Sequence, residues 1–181
     1  MRYGTRMVFL ITLLVAGQAV AQPKKPGLDA DREKINFLTG SFVTETNMPA
    51  SRAMPKGVTG KGTSIMSWAL DSMFIQIEEQ SVNPVFGHYQ GHGMLGYDAI
   101  NHEYVLSMFN NFADRPSYKG NFVGDTLVLA TKVAMPGRSF DQKLVWYKDG
   151  PSVKLKVMND SGKGFVLALE ETSTPATQTT K

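Results

Sequence analysis

No cysteine occurs anywhere in the 181-residue chain. That absence excludes disulfides, thiolate metal sites, cysteine nucleophiles and lipid attachment through a cysteine. Histidine is scarce, with three residues, and tryptophan scarcer, with two. Charge of one sign is missing as well. Lys and Arg number 19 against 16 Asp and Glu, a formal net charge of +3. Near-neutrality gives no electrostatic reason to prefer nucleic acid, so no such partner is expected. A membrane-crossing helix needs about 20 apolar residues, and the run MVFLITLLVA at 7–16 is about half that length.

That run has a different meaning in its context. Arg2 and Arg6 precede it, and GQAVAQ follows, with Ala19 and Ala21 spaced as small residues before a cleavage point. A basic start, a short apolar middle and an A-x-A end predict a secretory signal peptide over residues 1–21. Removing it leaves 160 residues and takes two positive charges away, so the formal net charge falls from +3 to +1. A chain of that length can bury one core. Export without disulfides means that the core alone must hold the fold. The expected address is the bacterial periplasm or the medium, with no membrane span after cleavage. Residues 22–27, QPKKPG, and 173–181, STPATQTTK, have little apolar surface to offset the entropy of ordering. They are expected to be a flexible leader and a disordered tail, flanking one domain over 28–172.

One helix is expected, at the start of that domain. Asp29 or Asp31 can cap it, Ile35 and Leu38 share a face, and Gly40 offers a stop. Beyond Gly40 the pattern becomes alternation. Ten runs rich in β-branched and aromatic residues follow, at 41–46, 58–70, 73–80, 86–97, 103–110, 117–123, 126–132, 140–147, 152–159 and 164–171. Short turns such as VGD and KDGP link them, which favours antiparallel neighbours. The fold class is therefore all-β: an antiparallel, lipocalin-like barrel of about ten strands with one short N-terminal helix. A bent sandwich is the alternative. Closure is preferred because it removes exposed edges, and glycines inside strand patterns let the sheet coil.

The stretch GHYQGHGMLGYD, Gly87–Asp98, holds two of the three histidines as His-x-x-x-His. On a helix that spacing can grip one metal. On a strand the two residues lie roughly 13 Å apart, so His88 and His92 are not a chelating pair. The bland reading of each is a histidine in a barrel wall, and His102 sits in a turn. GVTGKGTS at 57–64 is no phosphate loop, because Gly62 rather than Ser or Thr follows Lys61. Glu78 and Glu79 are adjacent, so on a strand they face opposite ways. Asp98 is expected to serve the backbone of its turn.

Four segments carry a resemblance. FLTGSF (37–42), GKGTSIMSW (60–68), LDSMFIQIE (70–78) and GHGMLGYD (91–98) are similar to the pattern of an exported bacterial family of unknown function. That pattern reads F-L-x-G-x-W, then G-x-G-x-x-x-x-x-W, then L-D-x-x-F-x-x-x-E, then G-x-G-x-x-G-Y-D. Phe42 stands where the first motif has tryptophan. The family implies a lipocalin-like barrel and brings no settled activity, so no catalytic residue is carried over. Nitrobindin-type haem barrels are a more distant resemblance. They ligate iron through a late histidine, and this chain has none after His102. No haem or metal is expected, and any other cofactor is left unknown.

A ten-strand barrel has room for a small ligand. The first expectation is a protein that binds or carries a small, largely apolar molecule. Trp68, Phe74, Gln76, Glu78, His92, Tyr97 and Trp146 are the candidates for its lining. Their bland reading is packing of the wall and barrel ends. The second expectation is an isomerase- or hydrolase-type enzyme using Glu78 or His92 as general base. The third is a module whose outer face or edge docks a protein.

Overall fold

The computed structural model describes residues 28–51, 54–135 and 137–177. The expected signal peptide and the leader at 22–27 lie outside the described residues. A helix, α1 (Leu28–Ile35), runs into a short 3-10 turn, Asn36–Leu38. Ten strands follow: β1 (Gly40–Met48), β2 (Val58–Ala69), β3 (Phe74–Asn83), β4 (Gly87–Asp98), β5 (Glu103–Asn110), β6 (Ser117–Val123), β7 (Thr126–Met135), β8 (Arg138–Asp149), β9 (Ser152–Asp160) and β10 (Val166–Pro175). Each pairs antiparallel with the next, and β1 also pairs with β10, so the sheet closes into a barrel. Among the described residues no helix is long and apolar enough to cross a membrane.

Alternation sets which side chains fill the barrel. On β3, Ile75, Ile77, Ser81 and Asn83 are buried, while Phe74, Glu78, Gln80 and Val82 are exposed. On β4 the inward set is odd-numbered, from Tyr89 to Tyr97. Ile75, Leu95, Leu127 and Leu129 are wholly buried and pack one half of the interior solid.

The helical segment closes that end. Ile35 and Leu38 are buried against the same core. Tyr104 donates to the Asp31 carbonyl at 2.9 Å, and Trp68 Nε1 donates to Asn36 Oδ1 at 3.0 Å. Gly40 does not cap the helix. Thr39 is already extended, its amide and hydroxyl donate to the Asn36 carbonyl, and Gly40 opens β1.

Strand β10 runs to Pro175, three residues past the expected boundary at 172. Polar composition suggested a tail there. Ser173 instead points inward and is buried, because the interior beside it is itself polar.

Gly62 shows why a glycine is needed within a strand. A Cβ at this position would collide with the backbone carbonyl of Gln80 on β3 and lie 2.7 Å from Ser81 Cβ. Gly62→Ala is expected to destabilise the barrel by roughly 1–3 kcal/mol, since a backbone strand must shift. At about 2–4 °C per kcal/mol the loss is readable by thermal unfolding. An unchanged melting temperature would contradict this packing.

Candidate functional site

The half of the barrel away from α1 is hollow, with a cavity of about 270 Å³. For scale, an apolar cavity of about 150 Å³ holds benzene. Its mouth lies at the β3–β4 and β5–β6 turns, where Phe86 and Phe112 border it and stand half exposed.

One wall is apolar. Leu106, Leu144 and Trp146 project from β5 and β8, Leu155 and Val157 continue it on β9, and Met66 and Ile77 on β2 and β3 line the cavity next to the packed layer. The opposite wall, over β10, β1, β2 and β3, is polar. Thr46, Glu79, Ser81, Asn83 and Glu171 border the cavity there, and the inward residues next to them are neighbours in register: Ser173 opposite Thr44, Thr44 opposite Gly62, Gly62 opposite Ser81. Glu171 lies opposite Thr46, and Ser64 opposite Glu79. Glycine, serine and threonine leave space there, and two long carboxyl side chains fill it.

Glu79 and Glu171 are in hydrogen-bond contact inside the barrel. Burial, then the charge of Glu171, then the hydrogen bond it donates hold the Glu79 carboxyl well above its ordinary value of 4.5. Burial also raises Glu171, but hydrogen bonds from Ser173 and Glu79 oppose that rise. Ser173 Oγ donates to Glu171 Oε1 at 3.1 Å. Glu79 is therefore the protonated partner and Glu171 the acceptor. Like charges this close cannot both ionise in a low-dielectric interior. No described residue that borders the cavity is basic.

Two further hydroxyls lie next to this wall, outside the cavity lining. Thr44 Oγ1 and Ser64 Oγ are buried, each residue 1% exposed, and neither has a hydrogen-bond partner. Thr44 Oγ1 sits 2.8 Å from where a Gly62 Cβ would be, so it points into the space between the glutamate-bearing strands. Near the mouth, Tyr89 is hydrogen-bonded to Asn110, and its phenol is raised by burial first and then by Glu79. Tyr118 donates to Gln142 Oε1 at 2.6 Å, and Gln142 Nε2 donates to Asn159 Oδ1 at 2.9 Å. Burial, then Asp114, pushes Tyr118 up to about 12. Both phenols are protonated at neutral pH.

Of the seven residues expected to line the interior, Trp146 borders the cavity. Trp68 and Tyr97 face inward at the plugged end, where they pack against the core beside α1. Phe74, Gln76, Glu78 and His92 are on the outer face, so their place in the expected lining is corrected. Gln76 Nε2 donates to Glu78 Oε1 at 2.9 Å, and Phe74 covers Gly96. Glu78 pairs with His92 in register, and both are exposed. The outward placement removes Glu78 and His92 as buried bases. His88 and His92 share the outer face of β4, which is a strand throughout. Among the described residues no group of three or more metal-ligating side chains is gathered. Asp98 Oδ1 accepts from the Ile100 and Asn101 amides, serving its turn.

Glu79, Glu171, Ser173 and Tyr89 were not among the residues expected to line the interior. A signal for Glu79 was present: Ile75 and Ile77 mark the inward parity of β3, and Glu79 is next in that series. For Glu171 the signal is broken by a bulge between Leu167 and Leu169, which reverses the parity. The chain matches no protein-family model and no curated protein.

The raised Glu79 carboxyl gives the fold a pH dependence. Above about 4.5 the folded state keeps a proton that the unfolded chain has released. Stability should be full below that value and fall as pH rises through the raised Glu79 value, by roughly 1.4 kcal/mol per pH unit at most. Glu79→Gln should flatten this slope. Thermal unfolding across the pH range checks it, and an identical slope in the variant would remove the proton from Glu79.

Proposed function

We propose that this protein is an exported, lipocalin-like carrier of a small, largely apolar molecule. One observation carries the reading: a barrel closed at one end by a helix and hollow at the other, with an apolar wall facing a polar one. Sites for small molecules have this form, with mostly apolar lining and a few placed polar groups that fix orientation. Trp146 and the leucines supply the surface for the ligand body. The polar wall orients the head. The half-exposed phenylalanines Phe86 and Phe112 give the mouth an apolar rim.

Support for export comes from the N-terminal sequence pattern, and support for the lipocalin-like kinship from the four motifs with the barrel topology. General acid–base chemistry would need a partner set against a reacting atom. The cavity has a carboxyl pair that shares a proton, but no histidine or lysine borders it among the described residues. Binding is the role these groups fill without an additional partner.

Native mass spectrometry of the protein purified from its own source should show a retained small molecule, and a bare mass would weaken the carrier reading. A neutral aromatic probe, 1-naphthylmethanol, should bind with a Kd of about 1–100 µM. Val157→Trp fills the cavity and should weaken that binding tenfold or more; calorimetry that finds no binding in the unmodified protein would sink the proposal. Export has its own readout: the mature protein should begin at Gln22, and an intact N-terminus on the secreted form would contradict cleavage after Ala21.

A further inference from the structure

The carrier reading leaves the chemistry of the ligand's polar end open, and the polar wall narrows it. Resting on that reading, we propose that the head of the ligand is a cation, a protonated primary or secondary amine, held between Glu79 and Glu171 with its apolar body against Trp146 and Leu144.

Three observations converge. First, the cavity holds two carboxyl groups and no basic side chain among the described residues that border it. A buried ion pair normally brings its own counter-charge, and a lone buried charge is strongly disfavoured. Here the protein provides two acids on the same face and leaves the positive charge to come from elsewhere. Second, the hydroxyls of Thr46 and Ser81 border the cavity beside those acids, while Thr44 Oγ1 and Ser64 Oγ are buried without partners next to them, outside the cavity lining. Unpartnered buried hydroxyls cost free energy, so this side of the barrel carries polar groups that its own side chains do not satisfy. An ammonium group carries two or three N–H donors and no acceptor. Two carboxyls and a hydroxyl such as Thr46 or Ser81 match that donor set.

Third, the opposite wall excludes a purely polar cation. Leu106, Leu144 and Trp146 line the cavity from β5 and β8, and Leu155 on β9 lies directly beside Glu171. A hydrated inorganic cation would leave that surface wetted, whereas an amine with an aromatic or branched aliphatic body covers it. The volume of about 270 Å³ suits a body larger than one benzene ring. An anionic ligand is disfavoured, because its charge would add to that of Glu171. On binding, the ammonium takes the place of the proton shared by the carboxyl pair, and that proton leaves to solvent.

The test compares two probes of nearly equal shape on the full secreted chain: 1-naphthylmethylamine, cationic at neutral pH, and 1-naphthylmethanol, neutral. The amine is expected to bind at least tenfold more tightly. Glu171→Gln should abolish the preference for the amine and Glu79→Gln should reduce it, each read as the ratio of the two affinities in the same variant. Equal affinity of the two probes in the unmodified protein overturns the cation proposal and leaves the carrier reading intact. Failure of both probes to bind overturns both. Should one variant not fold, the other variant and the comparison in the unmodified protein still decide.

Discussion

Antiparallel pairing of β1 with β10 is the contact on which the rest of the molecule depends. Each of the other strand pairs joins segments adjacent in sequence, through a turn or short loop. The β1–β10 ladder alone joins the two ends of the sheet, from Phe42 opposite Pro175 to Asn47 opposite Glu170. Without it the ten strands would form an open, strongly twisted sheet with two unpaired edges. With it, an inside exists. Ten strands enclose more volume than their own side chains fill, so the interior must be plugged, packed or left hollow. This chain does all three along its axis: the helix at one end, a leucine and isoleucine layer next to it, and the cavity beyond.

The same seam carries the chemistry. Glu171 and Ser173 lie on β10, Thr44 and Thr46 on β1, and the wall continues over β2 to Glu79 on β3. The carboxyl pair is thus built across the last contact to be made in sequence terms. An open sheet would leave Glu79 and Glu171 in water, where neither has reason to hold a proton. Closure brings them together in a low dielectric, and the desolvation of the one charge they keep works against the ladder that closes the barrel. A polar wall at the closing seam is therefore a stability cost accepted at one place, offset by the packed layer near α1. Proteins commonly concentrate such costs at functional sites.

Much of the fold was legible in the chain. The ten strands match the alternating runs to within a few residues, and the closed order follows from short turns and the penalty on exposed edges. The helix was legible through Ile35 and Leu38, both buried. The site was legible in outline and mostly misplaced in detail. Choosing which face of a strand points inward needs an apolar marker on the same strand. On β3 the markers Ile75 and Ile77 were present, yet the motif L-D-x-x-F-x-x-x-E drew attention to Phe74 and Glu78, one residue out of phase. A slip of one residue moves every side chain to the other face. On β10 even correct phasing upstream would have failed, because the bulge at Ala168 inserts one residue and reverses the parity before Glu171. Ser173 was hidden differently. Its neighbours are polar, so composition marked a tail, whereas the wall it joins is polar because of what it surrounds.

Gly60 and Gly62 occupy the positions between the two glutamate-bearing strands, and Gly62 has no room for a Cβ. A larger residue there would force β2 away from β3 and fill the space over Thr44. The close approach of backbones and the gap in the side-chain layer are one feature with two effects. It tightens the curvature of the wall, and it leaves the polar wall open to the cavity. The G-x-G of β2 is then as much a part of the site as the acids, although it contributes no functional group: it determines that the acids meet each other and face the cavity, rather than meeting a packed layer of side chains.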